Sequence, residues 1–283
     1  RASLEEAMRP CPIADEGSYI VLRNPAVSEK DEHPAESSQQ MLPPLRIGSR
    51  VVIPGPITFS LWPQQSAEVI AGHHLRSNQY LLIRVYNGEE AKKNWKSAVV
   101  KAPGSEAPKE STIPEDISIG KLFIVKGTEV SFYIPPTGVE VLKEGDSYIR
   151  EAQTLEALEY AILVDEDGNK RYEKGPAVVF PEPTEQFMSI KDEKTGALSK
   201  KTRAIELNDL SGIHLKVIQN FDEVPEKDYD EIIPDGTGAT VPRNAEEKIP
   251  RKAGEELFVT GKQTTIFYPS EQLAFVKYDG GTK

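Results

Sequence analysis

The sequence predicts an all-β fold, a tandem array of small antiparallel β modules carrying long loop insertions. Three observations lead there. A phrase of apolar strand, lone Gly, second strand and Pro recurs four times, around Gly55 and Pro63, Gly127 and Pro135, Gly175-Pro176 and Pro181, and Gly261 and Pro269. Repetition on this scale marks units that bury their apolar faces by packing on a neighbour. The composition, with 22 Pro, 20 Gly and 38% hydrophobic residues, suits many short strands and turns better than a helical bundle. Finally, Asp165-Glu166-Asp167-Gly168-Asn169 joins two strand-like runs, a strong hairpin signal that makes the third unit a minimal template.

Residues 1–17 read as an N-terminal arm. Ser3 to Arg9 opens like a helix, but Pro10 and Pro12 stop it within two turns, leaving a tail or docking arm. Repeat 1 is expected over 18–72, with a first strand at 19–22 and a polar surface loop over 27–40. Repeat 2 is expected over 79–143, its first strand at 80–85 followed by a polar insertion at 87–115. A short helix is expected at Gly88 to Trp95. Residues 144–158 fit no repeat. The stretch 154–164 has the Leu, Glu and Ala of a helix, yet it runs into the Asp-Gly turn and a mirrored polar strand, so the reading is strand. Repeat 3 spans 159–190 and carries no insertion. Repeat 4 spans 213–278, with its first strand at 213–218 and an insertion at 221–251. After each closing Pro a short apolar strand closes the module. The repeated Gly permits positive φ or a close backbone approach, and Pro ends ladder pairing or sits at an edge.

The chain resembles the major vault protein family, whose rod-like part is built of successive small antiparallel β modules called vault repeats. The residues that carry the resemblance are 19–25, Phe59 to Pro63, Val125-Lys126-Gly127 with Phe132-Tyr133-Ile134-Pro135, and Glu173-Lys174-Gly175-Pro176. Ile213-His214-Leu215-Lys216 and 254–260 complete them. The likeness is distributed over residues 18–278. It implies a self-assembling subunit, elongated chains packed side by side into a ring, barrel or shell, with no catalytic site in the repeats. Similar repeats look at home in bacteriophage proteins, so a virion collar, tail or decoration component is the alternative host, with other virion proteins as partners. The insertions at 27–40, 87–115 and 221–251 depart from the family's pattern.

Net charge is −11, and no stretch clusters Lys or Arg with interleaved aromatics, so nucleic acid is not an expected partner. No run of eighteen apolar residues exists and none is expected to enter a membrane. The single Cys11 forms no internal disulfide, which fits a reducing compartment, cytoplasmic, or a virion if viral. The start at Arg1 and the stop soon after a strand read as a segment of something longer.

The constellations that carry chemistry elsewhere are weak here. Asp165 to Asn169 has calcium-loop residue types but lacks the distal bidentate Glu, and a hairpin turn needs the same residues. His33, His73, His74 and His214 have no zinc-ligand spacing, and His73-His74 reads as an exposed loop pair. Gly236-Thr237-Gly238 is followed by no Gly-Lys-Ser/Thr, and no Ser sits in a nucleophile elbow. The acidic run 222–231 reads as a solvated loop, or as a binding loop for a basic partner. Aromatics of the Gly/Pro phrases are assigned to the core. Trp95, in a polar insertion, is the candidate anchor for an intermolecular contact. No cofactor, metal or catalytic residue is expected, and the expected partner is the chain itself in a high-order oligomer. A monomeric binding module that uses its three insertions as a ligand surface is the reading from another class.

Overall fold

The computed structural model describes residues 11–27, 43–104, 113–191, 196, 198–225, 228–233 and 236–276. Residues 1–10 of the expected arm at 1–17, most of the loop at 27–40 and part of the insertion at 87–115 lie outside the described residues, and the rest of that arm carries the strand Ile13–Ala14 of the first repeat. The chain divides into two compact units, Arg1–Ala152 and Gln153–Lys283. Each contains two β repeats, and the fold is all-β, with one helix, Gly88–Asn94, and one 3-10 turn, Trp95–Ser97, among the described residues.

Every repeat follows one path. A short lead strand (Ile13–Ala14, His73–His74, Gln153–Leu155, Ile205–Glu206) turns into a central strand (Ser18–Arg23, Gln79–Val85, Glu159–Val164, Gly212–Val217). A return strand follows (Arg50–Pro54, Leu122–Lys126, Lys170–Lys174, Glu256–Thr260), then the repeated Gly and a cross strand (Ile57–Thr58, Phe132–Ile134, Ala177–Val179, Ile266–Phe267). The closing strand comes last (Ser66–Ala71, Val139–Val141, Gln186–Phe187, Leu273–Phe275). Return and closing strands flank the central strand in one antiparallel sheet, while lead and cross strands pair in a second. The apolar core lies between the two sheets. In the first repeat it comprises Ala14, Ile20, Leu22 and Phe59, and in the third Leu155, Ala161, Leu163 and Val179.

The lead strands are absent from the expectations drawn from sequence. In a two- or three-residue segment no alternation can be counted, so only the pairing reveals it. Gln153–Leu155 therefore lies in the stretch that fitted no repeat, and residues 13, 73, 153 and 205 stand ahead of the expected repeat starts.

The register also explains the repeated Gly. A tight turn joins lead and central strands, with Ser18 N bonding Asp15 O, Gln79 N bonding Arg76 O, Glu159 N bonding Glu156 O and Ser211 N bonding Asn208 O. Gly55, Gly127, Gly175 and Gly261 each cross this turn, and each donates its N–H to the first residue after it (Ser18, Gln79, Glu159, Ser211). A Cβ on Gly127 or Gly175 would lie 1.8 Å from the carbonyl oxygen of Arg76 or Glu156, and one on Gly261 2.0 Å from that of Asn208. Close approach, and not positive φ, is what excludes a side chain here. The Gly55–Pro56 and Gly175–Pro176 peptides are cis.

Counted from the lead–cross pairing, Leu61 occupies the place of Pro135, Pro181 and Pro269. Pro63 falls two residues later, in the turn whose Gln65 N–H bonds Trp62 O. Pro183 stands at the same place in the third repeat, where Glu185 N–H bonds Glu182 O. The Pro of the first phrase thus matches the others in composition but not in position.

The insertions form structure on the repeats that carry them. In the second repeat the helix Gly88–Asn94, capped by Asn87 Oδ1 accepting from Glu90 N, leads to Val99–Lys101, which pairs with the cross strand. In the fourth, Phe221–Glu223 pairs with Ile249–Arg251, and Tyr229–Ile232 pairs with Thr240–Arg243 while meeting the return strand at Phe258.

Replacing Gly175 by Ala is expected to destabilise the second unit by about 2–4 kcal/mol, because backbone must move to admit the methyl group. Gly168→Ala, at φ 85° with nothing within 4 Å of the new Cβ, should cost only about 1 kcal/mol. Urea unfolding of both variants measures the difference.

Candidate functional site: the joints between repeats

In the first unit the second face of one sheet is covered by the next repeat. Tyr19 projects from the central strand opposite to Ile20 and Leu22, and clusters with Phe132 and Ile134 of the following cross strand. Val21, Val52, Ile70 and Val99 pack around them. Tyr19 is therefore buried even though its neighbours in sequence already fill the repeat's own core.

Polar contacts seal the rim. Thr137 Oγ1 accepts from Val52 N at 3.0 Å, and the Tyr86 hydroxyl donates to Arg50 O at 3.2 Å while accepting from Gly138 N at 3.0 Å. Burial pushes the Tyr86 hydroxyl up, partly offset by Gly138 and by the Arg50 guanidinium, which stands 4.6 Å from the ring centroid. Glu140 takes Arg50 at 3.0 Å and Arg84 at 2.6 Å. A groove of about 570 Å³ follows this rim, lined by Arg50, Tyr86, Asn87, Glu90 and Thr137 among others.

His73 sits at the heart of the joint. Expected as one of an exposed loop pair, it is 4% exposed on a lead strand. Its Nε2 is 3.1 Å from the Tyr19 hydroxyl, and its ring meets Tyr148 edge-on at 4.9 Å. Burial lowers its pKa to about 4, so the ring is neutral. The alternation of a two-residue strand is invisible in sequence, which is why burial of one His and exposure of the other was not foreseen.

The second unit repeats the arrangement with other residues. Tyr160, in register with Tyr19, meets Tyr268 of the next repeat edge-on at 6.0 Å. The Tyr268 hydroxyl donates to Ala157 O at 2.9 Å, and Lys174 Nζ lies 4.9 Å from its ring centroid. Lys170, at the register position of Arg50, bonds Glu271 at 2.9 Å.

The acidic run of the fourth repeat is built into its insertion. Glu223 and Glu231 turn toward Arg251, which is 2% exposed. Arg251 Nη1 reaches Glu231 Oε1 at 2.7 Å, its Nε reaches Glu223 Oε2 at 2.7 Å, and Arg243 Nε holds Glu231 Oε2 at 2.6 Å. Burial alone would raise the Glu231 carboxyl, but the two guanidinium groups outweigh it and hold it below the usual range. Glu226 and Lys227 of the run lie outside the described residues.

The remaining sequence candidates fall into structural places. Trp95, expected as an anchor for another molecule, is 8% exposed and packs in its own repeat with Ala91, Leu81 and Phe123, the last edge-on at 5.7 Å. Its indole is thus spent on the chain's own core, because the short helix folds back over the sheet. Asp165 Oδ1 accepts from Asp167 N and Asn169 N, and Oδ2 from Asn169 Nδ2, which is the hairpin turn. His214 Nε2 lies 3.0 Å from Glu256 Oε2. Cys11 is exposed, its Sγ 3.6 Å from Ser60 Oγ. Among the described residues no three of His, Cys, Asp or Glu are grouped to hold a metal ion, and no helix is long and apolar enough to cross a membrane.

Two measurements test these sites. His73 has its pKa lowered on folding, so the unfolded chain binds the extra proton between pH 6.5 and 4. The His73 contribution to stability should fall across that window as pH drops, by on the order of 3 kcal/mol, and level off below it. The His73 ring resonances should titrate with a midpoint near 4, and H73Q should flatten the window. Glu231 acts below it, its contribution present above the ordinary carboxylate pKa and lost as pH falls further. Arg251→Met should cost about 2–4 kcal/mol, because the buried Glu231 keeps Arg243 but loses its other guanidinium, and adding Glu231→Met should recover part of that, as read by denaturant unfolding. No protein-family model matches the chain, and no curated protein matches it.

Proposed function

We propose that the chain is a non-enzymatic structural protein whose β repeats pack side by side into a larger ring, barrel or shell of identical subunits. The observation that carries this reading is the recurring joint. In the first unit the aromatic face of one repeat is covered by the cross strand of the next, and in the second Tyr160, at the register of Tyr19, meets Tyr268 just past the next cross strand. Geometry kept while chemistry drifts is what a stacked scaffold requires, since each unit buries its second face only on a neighbour. The charged groups point the same way. Glu140, Glu185, Glu231 and Arg251 are held in ion pairs that tie strands together, and the groove along the first joint is lined in part by Arg50, Tyr86 and Thr137, which the joint already engages.

Sedimentation velocity across a concentration series, followed by negative-stain microscopy of the heaviest species, tests the proposal. Closed or curved assemblies of uniform width are expected. A monodisperse monomer at every concentration would overturn it.

A further inference from the structure

A sheet edge is a row of unpaired N–H and C=O groups, and proteins guard such edges with Pro, Lys, short strands or a covering segment. The return edges here are guarded. In the first repeat Thr137 takes the outward N–H of Val52, Tyr86 takes the outward carbonyl of Arg50, and Pro54 has no N–H to offer. Lys126 ends the return strand of the second repeat, Lys170 and Lys174 bracket that of the third, and Tyr229–Ile232 lies against that of the fourth. The closing edges of the second and third repeats are broken. Val139–Val141 stops, and Arg150–Glu151 resumes pairing with the same central strand. Gln186–Phe187 likewise gives way to Thr202–Arg203.

The closing strand of the first repeat is different. Ser66–Ala71 pairs with Ser18–Arg23 without interruption over its whole length. Gly72 N bonds Gly17 O, which sets the alternation. Ser66, Glu68 and Ile70 turn their backbone groups to the central strand, and Ala67, Val69 and Ala71 turn theirs outward. Among the described residues nothing pairs with that outer edge. The strand holds no Pro and no Lys, Val69 is 45% exposed, and Glu68 is its one charge.

We propose that Ser66–Ala71 is a self-association edge that takes the same strand of a second copy, antiparallel, in a two-fold register centred on Val69. In that register Val69 exchanges both hydrogen bonds with its counterpart, and Ala67 does so with Ala71, so every outward group on both copies is satisfied. Charge selects the register. Centring on Glu68 would set two carboxylates directly opposite each other, a destabilising cross-strand pair, whereas centring on Val69 sets each Glu68 beside Ile70. The small outward residues let the backbones approach, and two three-stranded sheets become one. A single strand edge buries less than a standard stable interface of about 1,200–2,000 Å², so the contact is weak and concentration-dependent unless other contacts add to it. It requires only two copies and does not depend on the proposed shell.

Amide hydrogen exchange of the full chain at low and high protein concentration tests it. The amides of Ala67, Val69 and Ala71 should exchange freely when dilute and slow by about tenfold or more when concentrated. Those of Glu68 and Ile70 should be protected throughout. Val69→Pro removes an outward donor that the native ladder does not use, so it should abolish the concentration dependence and leave the inner amides protected. Val69→Lys blocks the edge without changing the backbone and should do the same. Outward amides that exchange freely at every concentration overturn the proposal, whether the chain is then monomeric or assembles through another surface. Protection that is independent of concentration overturns it too, since the chain's own residues would then cover the edge. A concentration-dependent dimer without larger assemblies would count against the shell and leave this edge standing.

Discussion

In all four repeats the backbone of one glycine lies against the carbonyl that begins the turn between lead and central strands, and the two sheets of each repeat are held in place by that crossing. The Gly N–H bonds the first residue of the central strand or the one before it, while the missing side chain leaves room for the carbonyl at a distance no Cβ could tolerate. Because the return strand must pass over the turn to become the cross strand, the chain changes sheets at this one point. A bulkier residue would separate the two sheets and open the small core between them.

That core is small in every repeat, and the consequence differs along the chain. The core cluster of the third repeat has four buried apolar residues, and Arg171 supplements it, binding Glu185 through Nε and Nη2 at 2.8 and 2.6 Å and also pairing with Glu173. The corresponding position of the first repeat is Val51, so an ionic tie stands at an aliphatic position where the repeat is shortest. The second repeat takes the other course, adding Ala91, Trp95 and Val100 from its insertion to a larger cluster. Both routes answer the same shortage, since a few short strands bury too little apolar surface to stand alone.

The joints show which parts of a repeat are free to vary. Tyr19 and Tyr160 share a register position, but one meets a histidine and the Phe132 and Ile134 side chains of a cross strand and the other a tyrosine. At the rim, Arg50 with Glu140 in one unit becomes Lys170 with Glu271 in the other. The small residues Gly72, Ala152 and Ala204 pass the chain from one repeat to the next. Each donates its N–H to the residue just before a central strand, Gly17, Asn78 and Leu158. Packing geometry constrains the hand-over while the surrounding polar chemistry drifts.

The amino-acid sequence by itself determined the all-β class, the number of Gly-marked crossings and the hairpin at Asp165 to Asn169, because each is written in local residue types and short-range spacing. The short helix before Trp95 was legible for the same reason. Tertiary structure alone decided the rest. The lead strands are too short to carry a period, so His73 could not be seen as buried. Pro63 matched the other phrases in composition, and only pairing with Ile13–Ala14 placed it two residues away from them. Trp95 and the acidic run looked like surface because their sequence neighbours are polar. Their partners, Leu81 and Phe123 for the indole and Arg251 for the two carboxylates, come from distant strands. Local chemistry fixes where a chain turns, but burial depends on which distant segment arrives to cover it.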